Sequence, residues 1–294
     1  MAVTRVASFN QDVCIAEEGT VPQKLFGVQG FEGNWELPLT PVKAAGYGMI
    51  NHDPQGALQG DVSISRLMTQ SSSADPLINY SAGGGLLAVP ISGFLIYGPS
   101  GLNQGFSFTN SRVTSYSSSC EVGGIASSDF SLSVYGNMVS GSGTPTFPAR
   151  GVLGVAIGSD IEVEVLGSGT NAVQGYNFRI DLDWEPLYGI GGLGQPVGYR
   201  LNYPLEVKVD FDMIVDTYAV ENLSGLVCAR SPESLNIIVR TGCERAVGTL
   251  ITVPNAELQS TSFSSTVNDN LMASFSYIAY VQQSGDISNL FPTV

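Results

Sequence analysis

The sequence predicts an all-β protein of two tandem β-sandwich domains, on three observations: composition, a period-two alternation of apolar and polar residues, and an internal repeat. Of 294 residues 35 are Gly and only 13% are charged. With abundant Ser, Thr, Val and Tyr, this favours short strands and frequent turns over helices. The stretch VQGFEGNWEL beginning at Val28 recurs as VQGYNFRIDL beginning at Val173, 145 positions on. The same shift pairs Pro41 with Pro186, Gly46 with Gly191, Val62 with Val207, Met68 with Met213, Asn110 with Asn255, Ser115 with Ser260, Phe130 with Phe275 and Tyr135 with Tyr280. A single shift kept over that distance predicts an ungapped duplication. The turn-forming segment SGSGTPTFPARG, residues 140–151, falls where the halves meet, so the expected domains are 1–145 and 146–294.

Each half then reads in the same order. Phe31, Gly33, Trp35 and Leu37 alternate with Glu32, Asn34, Glu36 and Pro38, and Tyr176, Phe178, Ile180 and Leu182 alternate with Asn177, Arg179, Asp181 and Asp183. That is a strand with one buried face. A second strand pair turns Val62, Ile64 and Met68 inward against Asp61, Ser63 and Ser65, and Val207, Val209, Phe211 and Met213 inward against Glu206, Lys208, Asp210 and Asp212. The segments DPLINYSAG and DTYAVENLSGLV offer an Asp N-cap and one or two turns of apolar spacing, and predict a short helix flanking each sandwich. Two long strands close each half, over 106–122 and 127–139, then 248–267 and 271–283. The Ser-rich run VTSYSSSC alternates as a strand does.

Twelve basic against 26 acidic residues give a formal charge of −14, which argues against a nucleic-acid grip, since that needs neutralised phosphates. The N-terminus has no apolar h-region and no stretch of 18 apolar residues occurs, so neither a secretory signal nor a membrane anchor is expected. Cys14, Cys120, Cys228 and Cys243 lack C-x-x-C spacing and read as reduced, buried thiols. GIGGLG, residues 189–194, matches G-x-G-x-x-G in letters, but strand patterns lie on both sides of it and a hairpin tip is expected. The lone His52 sits among turn formers in NHDPQG and has no G-x-S-x-G partner motif; the Cys and His spacing offers no metal set. Asp183 and Glu185 flank Trp184 on one face, a pairing read as acidic decoration, and Trp35 and Trp184 read as core or interface anchors. No catalytic residues, metal or cofactor are expected.

With these residues laid out, the chain resembles the tail tube proteins of tailed bacteriophages, of the kind in which the tube domain occurs twice. The resemblance rests on VQGFEGNWEL and VQGYNFRIDL, the acidic-faced strands GDVSISRLMT and LEVKVDFDMI, a short helix, and the closing pair TNSRVTSYSSSCEVGGIASSDFSLSVYG. It implies β-sandwiches whose inner sheets join into a ring-spanning β-barrel. Six domains, and so three chains, would complete a homotrimeric, pseudo-sixfold ring. Stacked rings would form a virion tail assembled in the host cytoplasm, with tape measure, terminator and sheath proteins as further partners and DNA passing without specific binding.

Under this resemblance Glu32, Glu36, Asp61, Asp181, Asp183, Glu206, Asp210 and Asp212 would line the lumen; the alternation alone is equally consistent with a solvated outer face. Arg179 and Lys208 lie on the same face and are expected to pair with neighbouring carboxylates. Two other readings share the sandwich: a capsid decoration or tail-completion protein, and a carbohydrate-binding lectin using exposed Tyr, Trp and acidic side chains.

Overall fold

The computed structural model describes residues 11–20, 22–36, 39–44, 48–54, 59–68, 89–97, 104–141, 155–165, 168–170, 173–190, 196–215, 233–241, 246–265 and 270–291. The first half contains β1 (Gln11–Glu17), β2 (Gln23–Lys24), β3 (Val28–Glu36), β4 (Leu39–Ala44), β5 (Gly48–Pro54), β6 (Gln59–Leu67), β7 (Ile91–Tyr97), β8 (Gln104–Glu121), β9 (Ser127–Val134) and β10 (Met138–Gly141). The second contains β11 (Ile161–Val165), β12 (Ser168–Thr170), β13 (Val173–Asp181), β14 (Trp184–Tyr188), β15 (Pro196–Leu201), β16 (Leu205–Ile214), β17 (Glu233–Thr241), β18 (Ala246–Ser264), β19 (Met272–Val281) and a helix α1 (Ser284–Leu290). The described protein is all-β, and every strand pairing is antiparallel. The two expected helices, over 75–83 and 216–227, lie outside the described residues.

Both halves thread their strands in one order. The first runs β1-β7-β8-β9-β6-β3 and the second β11-β17-β18-β19-β16-β13. Their irregularities recur too. Ladder shifts fall at Val28/Gly30 and Val173/Gly175, and again at Val113/Ser115 and Leu258/Ser260, each pair 145 positions apart. The expectation of a gap-free repeat is corrected. Phe31 sits opposite Ile64 but Tyr176 sits opposite Phe211, so β16 matches β6 at a spacing of 147. The same two extra residues separate the β14–β15 ladder from the β4–β5 ladder, which places the insertion at the β14–β15 hairpin tip.

β8 and β18 each serve two sheets. β8 pairs with β7 over Gln104–Ser111 and with β9 over Ser111–Ser119. β18 pairs with β17 over Ala246–Ala256 and with β19 over Glu257–Ser264. The bend in each lies beside an Asn of positive φ, Asn110 at 54° and Asn255 at 56°. Asn tolerates this left-handed backbone better than other side-chain-bearing residues. Each bent strand thus folds an outer sheet over an inner one, a β-sandwich-like arrangement.

The alternation drives burial. In β16 Leu205, Val207, Val209, Phe211 and Met213 are buried while Glu206, Lys208 and Asp212 are exposed. Each such buried side chain is worth roughly 1.5–3 kcal/mol over its exposed state. Phe211 stacks on Phe275 at 5.2 Å and on Tyr277 at 5.7 Å, tying β16 to β19. β9 buries Phe130, Leu132 and Val134 against Val62 and Ile64 of β6. Cys14 and Cys120 are free and buried; burial, with Asp12 adding to it, pushes the Cys14 thiol up to about 12. His52, expected in a loop, is instead in β5 opposite Pro41. There the ladder with β4 prevails over the local turn preference of Asn51–Pro54.

Candidate functional site

The halves are joined by direct strand pairing. β8 meets β13 with Gly175 opposite Glu121 and Asp181 opposite Ser115. The result is a continuous sheet of eight strands, β3-β6-β9-β8-β13-β16-β19-β18. It does not close on itself among the described residues, because β3 pairs only with β6 and the second part of β18 only with β19.

Several contacts lock this seam. The Tyr176 and Ser118 hydroxyls lie 2.8 Å apart in the core. Trp184 Nε1 donates to the Val113 carbonyl at 2.8 Å, and the Arg112 guanidinium lies 4.9 Å from the Trp184 ring and 4.5 Å from the Tyr199 ring. The β14–β15 hairpin of the second half is thereby clamped onto β8 of the first. From α1, buried Ile287 and Leu290 lead to Phe291, whose ring meets Tyr116 and Phe178 edge-on at 6.0 Å, one on each side of the seam.

The eight-stranded sheet has one apolar face in the core and one polar face. All eight acidic residues singled out above lie away from the core: Glu32 and Glu36 on β3, Asp61 on β6, Asp181 on β13, Asp183 just beyond it, and Glu206, Asp210 and Asp212 on β16. The ladders bring them onto one surface. Glu32 faces Ser63, Ser63 faces Ser131, Ser131 faces Ser115 and Ser115 faces Asp181, a single row across five strands. Another row runs Ser65, Asp129, Ser117, Arg179, Lys208.

Two cations on this surface, Arg179 and Lys208, are tied to neighbours on their own strands. The Arg179 Nε lies 3.0 Å from Asp181 Oδ2, and the Lys208 Nζ lies 2.7 Å from Glu206 Oε1. Each is held above its ordinary pKa by that partner's hydrogen bond and charge. Asp61 accepts from the Ser133 hydroxyl at 2.9 Å, and Asp183 from the Asn202 amide at 3.1 Å. Glu32, Glu36, Asp129, Asp210 and Asp212 set the sign of the surface, and hydroxyls fill the space between. Sequence reasoning passed over Asp129, although the alternation Ser127, Asp129, Ser131, Ser133 carries it.

A cleft of about 910 Å³ opens at one end of the seam, lined by Cys120, Glu121, Ile157, Glu162, Gln174 and Arg240 among others. Its guanidinium is committed, since Arg240 Nε donates to Glu162 Oε2 at 2.9 Å. No helix among the described residues is long and apolar enough to cross a membrane. GIGGLG begins at Gly189 and Ile190, directly after β14, in the connection to β15; its remaining residues lie outside those described. A scan of the chain against protein-family models found no match, and a search of curated proteins found none.

Proposed function

We infer that the chain is a non-enzymatic structural protein of a bacteriophage tail: its two halves are tandem tube domains, and three copies close a pseudo-sixfold ring. Stacked head to tail, such rings make a tube through which DNA leaves the particle. The observation that carries this reading is the eight-stranded sheet, continuous across both halves, apolar on one face and hydroxyl- and carboxylate-covered on the other.

A sheet with two open edges invites further pairing, and a closed ring removes them. Three copies would contribute about twenty-four strands. At ~4.8 Å between neighbours the wall measures roughly 115 Å around, or ~37 Å across before strand tilt widens it. Short Ser side chains leave most of that bore open to a duplex. DNA carries one charge per ~1.7 Å of duplex, and fixed carboxylates repel it over a Debye length of about 8 Å at physiological salt. With Arg179 and Lys208 neutralised by their neighbours, the surface offers a polyanion no firm hold. Heterologous ring-on-ring contact extends such an assembly without limit.

Electron microscopy and mass measurement of the purified protein test the reading. Hollow rings or tubes built from multiples of three chains are expected. A solitary chain that binds a glycan column would overturn the proposal in favour of a lectin, and a monomer that binds capsids would favour a decoration protein.

A further inference from the structure

The outer edges of the eight-stranded sheet repeat the strands that meet at its middle. At the spacing of 145, β13 corresponds to β3 and β8 to β18, and the paired ladder shifts at Val28/Gly30 and Val173/Gly175, and at Val113/Ser115 and Leu258/Ser260, fix that correspondence locally. We propose that β18 of one copy pairs with β3 of a second copy in the register that joins β8 to β13, placing Glu36 opposite Ser260, Trp35 opposite Thr261, Asn34 opposite Ser262 and Gly33 opposite Phe263. The inference rests on the ring reading above and supplies its contact.

Side-chain size supports this register. At the inner seam Phe178 faces Ser118 and Ile180 faces Tyr116, so each core-facing pair sets a larger side chain against a smaller one. At the outer seam the order is reversed but the totals are alike, with Gly33 against Phe263 and Trp35 against Thr261. A slip of two residues, the smallest that keeps the faces matched, loses this. One direction sets Trp35 against Phe263; the other sets Phe31 against Phe263 and leaves Gly33 facing Thr261.

Exposure agrees. Phe178 and Ile180 are fully buried at the inner seam, whereas Phe263 is 40% exposed and Gly33 is exposed. The Trp35 ring lies over the Gly33 backbone, so a Phe263 ring arriving opposite Gly33 meets the indole. Trp35 Nε1 and Thr261 Oγ1 are both buried without a partner among the described residues. Unpaired buried polar atoms are costly; the proposed register sets these two residues opposite each other, with the indole Nε1 itself lying beside Gly60 of β6.

Directly opposed residues in an antiparallel ladder have Cα atoms ~4.5–5.5 Å apart, within disulfide reach, while two-residue diagonals lie at ~7–8 Å. The double variant Asn34→Cys/Ser262→Cys, oxidised after assembly, is expected to link most chains into covalent multimers. The slipped pair Asn34→Cys/Ser264→Cys should link at least about tenfold less, and each single variant should give only background. Asn34, Ser262 and Ser264 are exposed on the polar face, and circular dichroism of each variant checks that the fold stands. Assembly without in-register linking, or with equal linking of the slipped pair, overturns the register and leaves the ring reading standing. A chain that sediments as a monomer at every concentration overturns both.

Discussion

Asn110 and Asn255, 145 positions apart, both hold left-handed backbone, with φ of 54° and 56°, at the bend where a long strand passes from one sheet to the other. Two non-glycine residues sharing this conformation at matching points make the bend a built feature of each half. Asn110→Ala and Asn255→Ala should each lower stability by about 1 kcal/mol, because a Cβ without the local hydrogen bonds of Asn pays the left-handed cost in full. Asn255→Val should lose about 1–3 kcal/mol, while Gly at either site should be close to neutral. Denaturant midpoints of the five variants check this, and an equal loss for Gly and Val would disprove the backbone explanation.

Charge reversal on the polar face tests the proposed conduit. Asp212 is exposed on β16 and Asp210 half-buried, so in the pair Asp210→Lys and Asp212→Lys the Asp212 change should cost within about 0.5 kcal/mol of folding stability and the Asp210 change somewhat more. Particles carrying the pair should assemble and then release DNA slowly or incompletely, with the defect easing as salt rises. Release at the normal rate would remove the polar face from the DNA path.

Arg112 holds the two halves through cation–π contacts with the Trp184 and Tyr199 rings. Arg112→Lys keeps the charge but not the planar fork, and is expected to lose about 1–2 kcal/mol. The readout specific to this contact is amide exchange in β14 and β15, which should quicken well before exchange in β16 does.

Alkali should unfold the chain through groups that are neutral only when folded. The Cys14 thiol is pushed up to about 12 by burial, and the Tyr116 and Tyr176 phenols are held above the usual range by the same cause. Unfolded, the thiol titrates near 9.0 and the phenols near 10.0. The unfolded chain therefore binds fewer protons than the folded one above those values, and stability, full below pH 9.0, falls as pH rises towards the folded values. Each group contributes at most about 1.4 kcal/mol per pH unit. Unfolding midpoints followed upward from about pH 8 should fall, and Tyr176→Phe should flatten the part of the decline above pH 10.0.

Alternation made β13 and β16 legible in the sequence, because each buries one face and wets the other. β17 was not, since Ile237, Ile238 and Val239 are all buried and leave no period-two signal. α1 escaped notice at two turns, although Ile287, Leu290 and Phe291 share the i, i+3, i+4 spacing of a docked helix. The repeat was visible, but its two-residue insertion at the β14–β15 tip was not, because matches on both sides survive at the original shift. The acidic residues of the polar face were found one strand at a time. Their convergence on one surface depends on the β8–β13 pairing, a contact between residues some sixty positions apart that no local pattern encodes.

β8 and β18 carry a mechanical corollary. Because an unbroken backbone runs from the inner layer into the outer one in each half, the two layers cannot slide past each other without straightening a bend held at an asparagine. Force pushing outward on the hydroxyl-covered face is therefore borne as tension along covalent chain rather than as shear between side chains, and in the proposed ring the bore's calibre would be coupled to the layer behind it.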